Sequence, residues 1–166
     1  MNERGPDRKE PDRSAVVEAV LGASRVLVAV AARSLAEVAE EVTVPQYRAL
    51  VVLAASGPRR VLSLAESLAV TASTATRMCD RLVRKGLVRR RTSRENRREV
   101  LVALTAAGQE LVAEVTRRRT EEISRILAAI STEDQVAIVD LFSKLATAAG
   151  EVPDREWPAG LDGWEI

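Results

Sequence analysis

The sequence predicts a mainly α fold carrying a small two- or three-stranded β-hairpin element, and three observations predict it. Apolar residues recur at spacings of three and four over long stretches, the mark of helices with one buried face. Aromatics make up only 2% of the 166 residues, so the core is built from Val, Leu, Ile and Ala. Alanine favours helix, and the branched residues serve helix or strand. One segment breaks the helical period: beyond Gly86, two short apolar runs flank a polar, arginine-rich reversal, the pattern of a hairpin.

Taken in order, residues 1–13 are charged and hold Pro6 and Pro11, which reads as a disordered lead-in. From Ser14, Val17, Val20, Leu21, Leu27, Val28, Leu35, Val38 and Val42 keep helical spacing. They predict one long helix over 14–42, on which Glu37, Glu40 and Glu41 are surface charges. Pro45 suits the first turn of a second helix, which Gly57-Pro58 stops. Ser63-Leu-Ala-Glu66 fits a capping box opening a short helix. Thr71 caps another, and Gly86 is its left-handed stop. Leu87 to Arg91 and Glu99 to Leu104 are the hairpin strands. Thr105 starts a second long helix with a stripe of Leu111, Val112, Val115, Ile123 and Ile126. Ser131 opens the last, carrying Val136, Val139, Leu141, Phe142 and Leu145 to about Gly150. Residues 151–166 form a tail with Trp157 and Trp164, rings expected to pack on a partner subunit or a pocket.

Charge narrows the partner. The net charge is +1, yet the stretch from Arg84 to Arg98 holds eight basic residues against Glu95, a local +7 that leaves the remainder near −6. A basic block on an otherwise acidic chain marks a polyanion-binding face. Charge runs are usually solvated surface, but so dense a block repels itself, and an anionic partner is the better account. Arginine's planar fork suits phosphates and guanine edges.

Composition also excludes. There is no histidine and one cysteine, Cys79, so an intrachain disulfide is impossible and no Cys/His metal site or cofactor is expected. Cys79 falls on core spacing and reads as a small buried hydrophobe. No histidine base, glycine-rich phosphate loop or carboxylate–nucleophile pairing appears, so no enzyme is expected. The apolar stretch from Val26 to Ala32 is bounded by Arg25 and Arg33, so neither a membrane span nor a membrane partner is expected, and the expected location is the cytoplasm.

Two helices joined by "AVT" match a helix-turn-helix. On the second, Ala75, Met78, Cys79, Leu82 and Val83 follow core spacing. Ser73, Thr74, Arg77, Arg81 and Arg84 are left outward. Hydroxyls near a helix N-terminus followed by arginines suit a major groove. A wing beside that helix can place Arg94, Arg97 and Arg98 against phosphates or in the adjacent minor groove. These eight residues are the candidate DNA-binding set. The stripes over 14–42 and 105–150 have too few partners in one chain, which points to a homodimer layer. The competing readings are a monomeric bundle and a winged-helix module that binds protein without reading DNA.

With those residues placed, the chain resembles the MarR family of winged-helix transcription regulators. The motifs are "TVPQYRALVVLAASGP", "LSLAESLAVTASTATRMCDRLVRKGLVRR" and "SRENRREVLVALTAAGQEL", and the resemblance spans about Ser14 to Gly150. It implies a winged helix-turn-helix over 44–104, flanked by dimerisation helices over 14–42 and 105–150. Ser73, Thr74 and Arg77 would face bases, and Arg98 would be the wing-tip residue. The family's wing usually carries aspartate where this chain has Asn96, so Arg98 is expected to be less firmly preorganised. Glycine is frequent in the family where this chain has Ala69. The resemblance further implies a repressor whose affinity for a pseudo-palindromic operator falls when a small aromatic or anionic effector binds, with Tyr47 and Arg48 as candidate effector contacts. A core aromatic is the competing reading of Tyr47.

Overall fold

The structure is a computed structural model, and it describes residues 12–39, 41–93 and 99–150. The lead-in before residue 12 and the tail with Trp157 and Trp164 lie outside the described residues. The order is α1 (Arg13–Ala36), α2 (Val44–Ser56), β1 (Arg59–Arg60), α3 (Val61–Ser67), α4 (Ala72–Arg84), β2 (Val88–Thr92), β3 (Val100–Leu104), α5 (Ala106–Leu127) and α6 (Thr132–Ala148). The three strands form one antiparallel sheet in the order β1-β3-β2. Arg59 is registered with Val102, and Val88 with Leu104. The mainly α fold with a three-stranded wing is as the sequence predicts.

The core lies where α2, α3, α4, the sheet and the first half of α5 meet. Leu50, Leu64, Leu82 and Val102 are fully buried there, and Cys79 is enclosed with them. Burial pushes the Cys79 thiol above its ordinary pKa, so it packs as a protonated, unreactive hydrophobe. Local chemistry sets most boundaries. Thr43 and Gln46 exchange a capping box at the start of α2. Thr71 accepts the Thr74 amide at the start of α4, and Ser131 the Asp134 amide at the start of α6. At the end of α4, Leu87 N–H donates to Leu82 O and Gly86 N–H to Val83 O, with Gly86 at φ +70°. That is the paired-bond stop that favours glycine.

The same stop recurs at the end of α3 without a glycine. Val70 N–H donates to Ala65 O and Ala69 N–H to Glu66 O, and Ala69 takes φ +52°. The glycine that the resemblance leads one to expect here would meet this conformation without strain, and Ala69 bears the strain instead. The Leu104-Thr105 pair followed by Gly108 has a structural cause. Thr105 Oγ1 accepts the Gly108 amide at 3.1 Å and donates to Gly86 O at 2.6 Å. A Cβ on Gly108 would stand 2.0 Å from Leu87 O, so only glycine lets α5 start this close to the turn after α4.

Three features depart from expectation. α1 ends at Ala36, not near Val42. Val38, Ala39 and Val42 still pack on the core, but from a turn. A four-residue apolar spacing fits helix and turn alike, and the extended backbone that Thr43 needs as a cap ends the helix early. Glu37 is therefore the C-cap of α1 and Glu41 lies in the connection to α2. α3 begins at Val61, with Arg60 before it making no side-chain cap. Ser63 lies inside the helix, where its carbonyl accepts from Ser67, because β1 pairs with β3 and runs straight into α3. Finally, α1 is long and apolar enough by length and composition to span a membrane. Only Val30, Ser34 and Leu35 of it are buried.

α6 buries none of its residues. Val136 and Val139 are each 68% exposed, and Leu141, Phe142 and Leu145 are open too. Val16, Val17, Val20 and Leu21 are bare on α1. Exposed apolar faces of this extent are the kind of surface that protein–protein contacts cover.

Candidate nucleic-acid interface

α4 has one inward stripe, Ala75, Cys79 and Leu82, with Met78 packed beside it. Val83 lies past the edge of that stripe and is exposed, contrary to its spacing. Ser73, Arg77, Arg81 and Arg84 are all exposed, and Thr74 is half-buried. The outward set of the sequence thus lies along one accessible edge. Among the described residues Arg77, Arg81, Arg84 and Arg89 make no ion pair, so their guanidinium groups are available to an external anion.

The first turn of α4 carries a hydroxyl cluster. Thr71 Oγ1 donates to Thr74 Oγ1 at 2.9 Å and lies 3.1 Å from Ser73 Oγ. Thr76 Oγ1 donates to Ala72 O, which withdraws it from outside contacts. Thr74 accepts from Thr71 and so keeps its own proton to donate. The orphan amides at the helix start point the same way, and helix N-termini favour phosphate.

Two ion pairs went unseen in the sequence. Arg90 on β2 reaches Asp80 on α4 at 2.5 Å. This binds the wing strand to the helix and pairs the Asp80 carboxylate beside the cationic edge. Arg60 holds Glu99 in two contacts, Nε–Oε2 at 2.9 Å and Nη2–Oε1 at 2.5 Å, and ties β1 to the base of the hairpin. Ser93 N–H donates to Glu99 O at 2.8 Å, so the hairpin is closed up to that point. Arg94, Asn96, Arg97 and Arg98 lie outside the described residues.

Tyr47 and Arg48 are separated by burial. Tyr47 is 5% exposed in the core, and its hydroxyl is buried with no hydrogen-bond partner among the described residues. Arg48 is exposed. The two do not converge on one face.

The MarR family profile matches residues 42–100. The HTH-type transcriptional repressor MdtR of Bacillus subtilis (strain 168) is 32% identical over 108 residues, 65% of this chain and 70% of MdtR. The HTH-type transcriptional regulator YfiV of the same organism is 30% identical over 108 residues, 65% of this chain and 68% of YfiV. The crystal structure of RV1404 from Mycobacterium tuberculosis superposes with a TM-score of 0.80 at 38% identity, covering 88% of this chain and 99% of that one. With its helix-turn-helix, its three-stranded wing and these likenesses, the chain belongs to the MarR family of winged-helix, DNA-binding transcription regulators.

Proposed function

We propose that two copies of this chain grip one duplex operator, with α4 of each in a major groove and each wing over the neighbouring minor groove. The observation that carries this reading is the edge of α4, where Ser73, Arg77, Arg81 and Arg84 stand exposed and unneutralised. Arg77 is placed one turn beyond the hydroxyls, the offset at which a bidentate guanine contact and a phosphate contact can be made together. Arg81, Arg84 and Arg89 then hold the backbone, and Arg94, Arg97 and Arg98 extend the grip through the wing. The bare faces of α1 and α6 support the twofold dimer. Such a dimer sets its recognition helices about one duplex turn, ~34 Å, apart. The chain acts as a repressor, and an effector that prefers a different helix spacing shifts the population away from the bound form.

Selection of bound duplexes from a random pool tests this directly. An inverted repeat with half-sites about ten base pairs apart is expected. Affinity for it should fall with salt at a log–log slope of about −0.9 per neutralised phosphate. Arg77→Ala should relax preference at one position per half-site, at a cost of about 1–3 kcal/mol. Arg98→Ala should weaken binding at A·T-rich flanks. A pool with no enriched sequence would sink the reading in favour of a protein-binding winged module.

A further inference from the structure

Behind the DNA-facing edge, the connection from α1 to α2 leaves a groove of about 510 Å3 against the end of α4 and the first turns of α5. Its floor is aliphatic, with Val38, Leu87 and Leu111 among its walls. Three carboxylates, Glu41, Glu110 and Glu114, stand around it against one ammonium, Lys85. Glu114 is held ionised: hydrogen bonds from Arg117 and then Arg118 draw its pKa down to about 2. Glu41 is engaged by Lys85, with Nζ 3.2 Å from Oε2. Glu110 makes no ion pair among the described residues. Neither Tyr47 nor Arg48 lines the groove, so it is not the pocket assigned to those residues by resemblance.

We propose that this groove binds an apolar organic cation. The floor takes hydrocarbon out of water, worth about 25 cal/mol per Å2. Glu114 is matched by Arg117 and Arg118 and Glu41 by Lys85, so the rim's uncompensated negative charge among the described residues is Glu110, set beside a low-dielectric wall where attraction exceeds its value in bulk water. An aromatic acid meets the same floor but a repulsive rim. A small inorganic cation is a poorer fit, because among the described residues no three carboxylates converge closely enough to hold a metal. A quaternary or delocalised cation gives up little hydration on entering and suits both surfaces.

The groove is also coupled to α4. Lys85 is the C-cap residue of that helix, and its bond to Glu41 is a charged link from α4 to the α1–α2 connection. A bound cation competes with Lys85 for Glu41 and loosens the link. This second step, unlike the binding itself, rests on the reading of α4 as the DNA-contacting helix.

Isothermal calorimetry of the whole chain without DNA tests the site, using tetraphenylphosphonium as the cation and salicylate as the aromatic anion. Saturable phosphonium binding is expected. Glu110→Gln should raise its Kd roughly three- to fivefold and Lys85→Met should lower it by a similar factor. Circular dichroism checks that both variants keep native helix content. No phosphonium binding, or binding indifferent to both substitutions, overturns the site. So does salicylate binding that strengthens with Glu110→Gln and weakens with Lys85→Met, because that pattern belongs to an anion groove. Anisotropy with a selected duplex tests the coupling: phosphonium should weaken DNA binding in the parent and less so in Glu110→Gln. Calorimetric binding without that effect overturns the coupling alone, whereas failure to select any duplex overturns the DNA reading and leaves the groove standing.

Discussion

The Arg90 guanidinium on β2 lies 2.5 Å from the Asp80 carboxylate on α4, so a charge pair bridges the wing strand and that helix. Both side chains are nearly half exposed, at 43% and 45%. Their mutual contribution to stability is therefore small, below about 1 kcal/mol. Its value is geometric. Asp80→Asn should leave the melting temperature nearly unchanged while lowering the ratio of operator to scrambled-duplex affinity severalfold. Removing the carboxylate also removes a repulsion for phosphate, so scrambled-duplex binding should hold or rise. Anisotropy on both duplexes measures the ratio, and an unchanged ratio would show that this pair does not serve readout.

Ala69 sits at φ +52° in a stop that favours glycine. Ala69→Gly relieves left-handed strain but adds freedom to the unfolded chain. The balance should stabilise the protein by about 0.5–1 kcal/mol, read as a higher urea midpoint at unchanged slope.

Gly108 allows the opposite test. Its hypothetical Cβ meets Leu87 O at 2.0 Å and Leu87 C at 3.0 Å, both backbone atoms with no rotamer to escape into. Gly108→Ala must push α5 away from the turn after α4, at a cost of about 1–3 kcal/mol. Because α5 links the winged domain to the bare helical layer, duplex affinity should fall with stability. A variant as stable as the parent would contradict the close approach.

Glu114 gives a pH signature. Its pKa is lowered in the folded chain to about 2 from 4.5, first by hydrogen bonds from Arg117 and Arg118. The folded state therefore binds fewer protons than the unfolded state across that interval. The contribution is fully present above pH 4.5 and disappears as pH falls towards 2. Arg118 also reaches Glu37 at 2.6 Å, so the network joins α5 to the end of α1. Carboxyl NMR should show Glu114 titrating near pH 2, and Glu114→Gln should flatten the acid limb of the stability curve.

The apolar side of α6 predicts assembly. Val139→Asp and Phe142→Asp place charge on a surface that one chain leaves bare. Light scattering should show a dimer for the parent and monomers for the variants, and duplex affinity should drop because one copy of α4 then binds alone. A dimer that survives both substitutions would put the interface elsewhere.

The sequence alone determined what depends on neighbours in the chain. The start of α4 at Thr71, its stop at Gly86, the Thr105 and Ser131 caps and the inward stripe of Ala75, Cys79 and Leu82 were all legible, because caps and helical periods act within about one turn. The outward arginines were legible for the same reason. Tertiary structure decided the rest. α1 stops at Ala36 because its later apolar residues reach the core from a turn, and α3 starts early because Arg59 and Arg60 are captured by a strand about forty residues away. Asp80 meets Arg90 only because the chain reverses at Gly86. Glu41, Glu110 and Glu114 share one groove only because two helices and a connection converge there. Such contacts are set by where packed elements meet in space, and no periodicity along the chain encodes them.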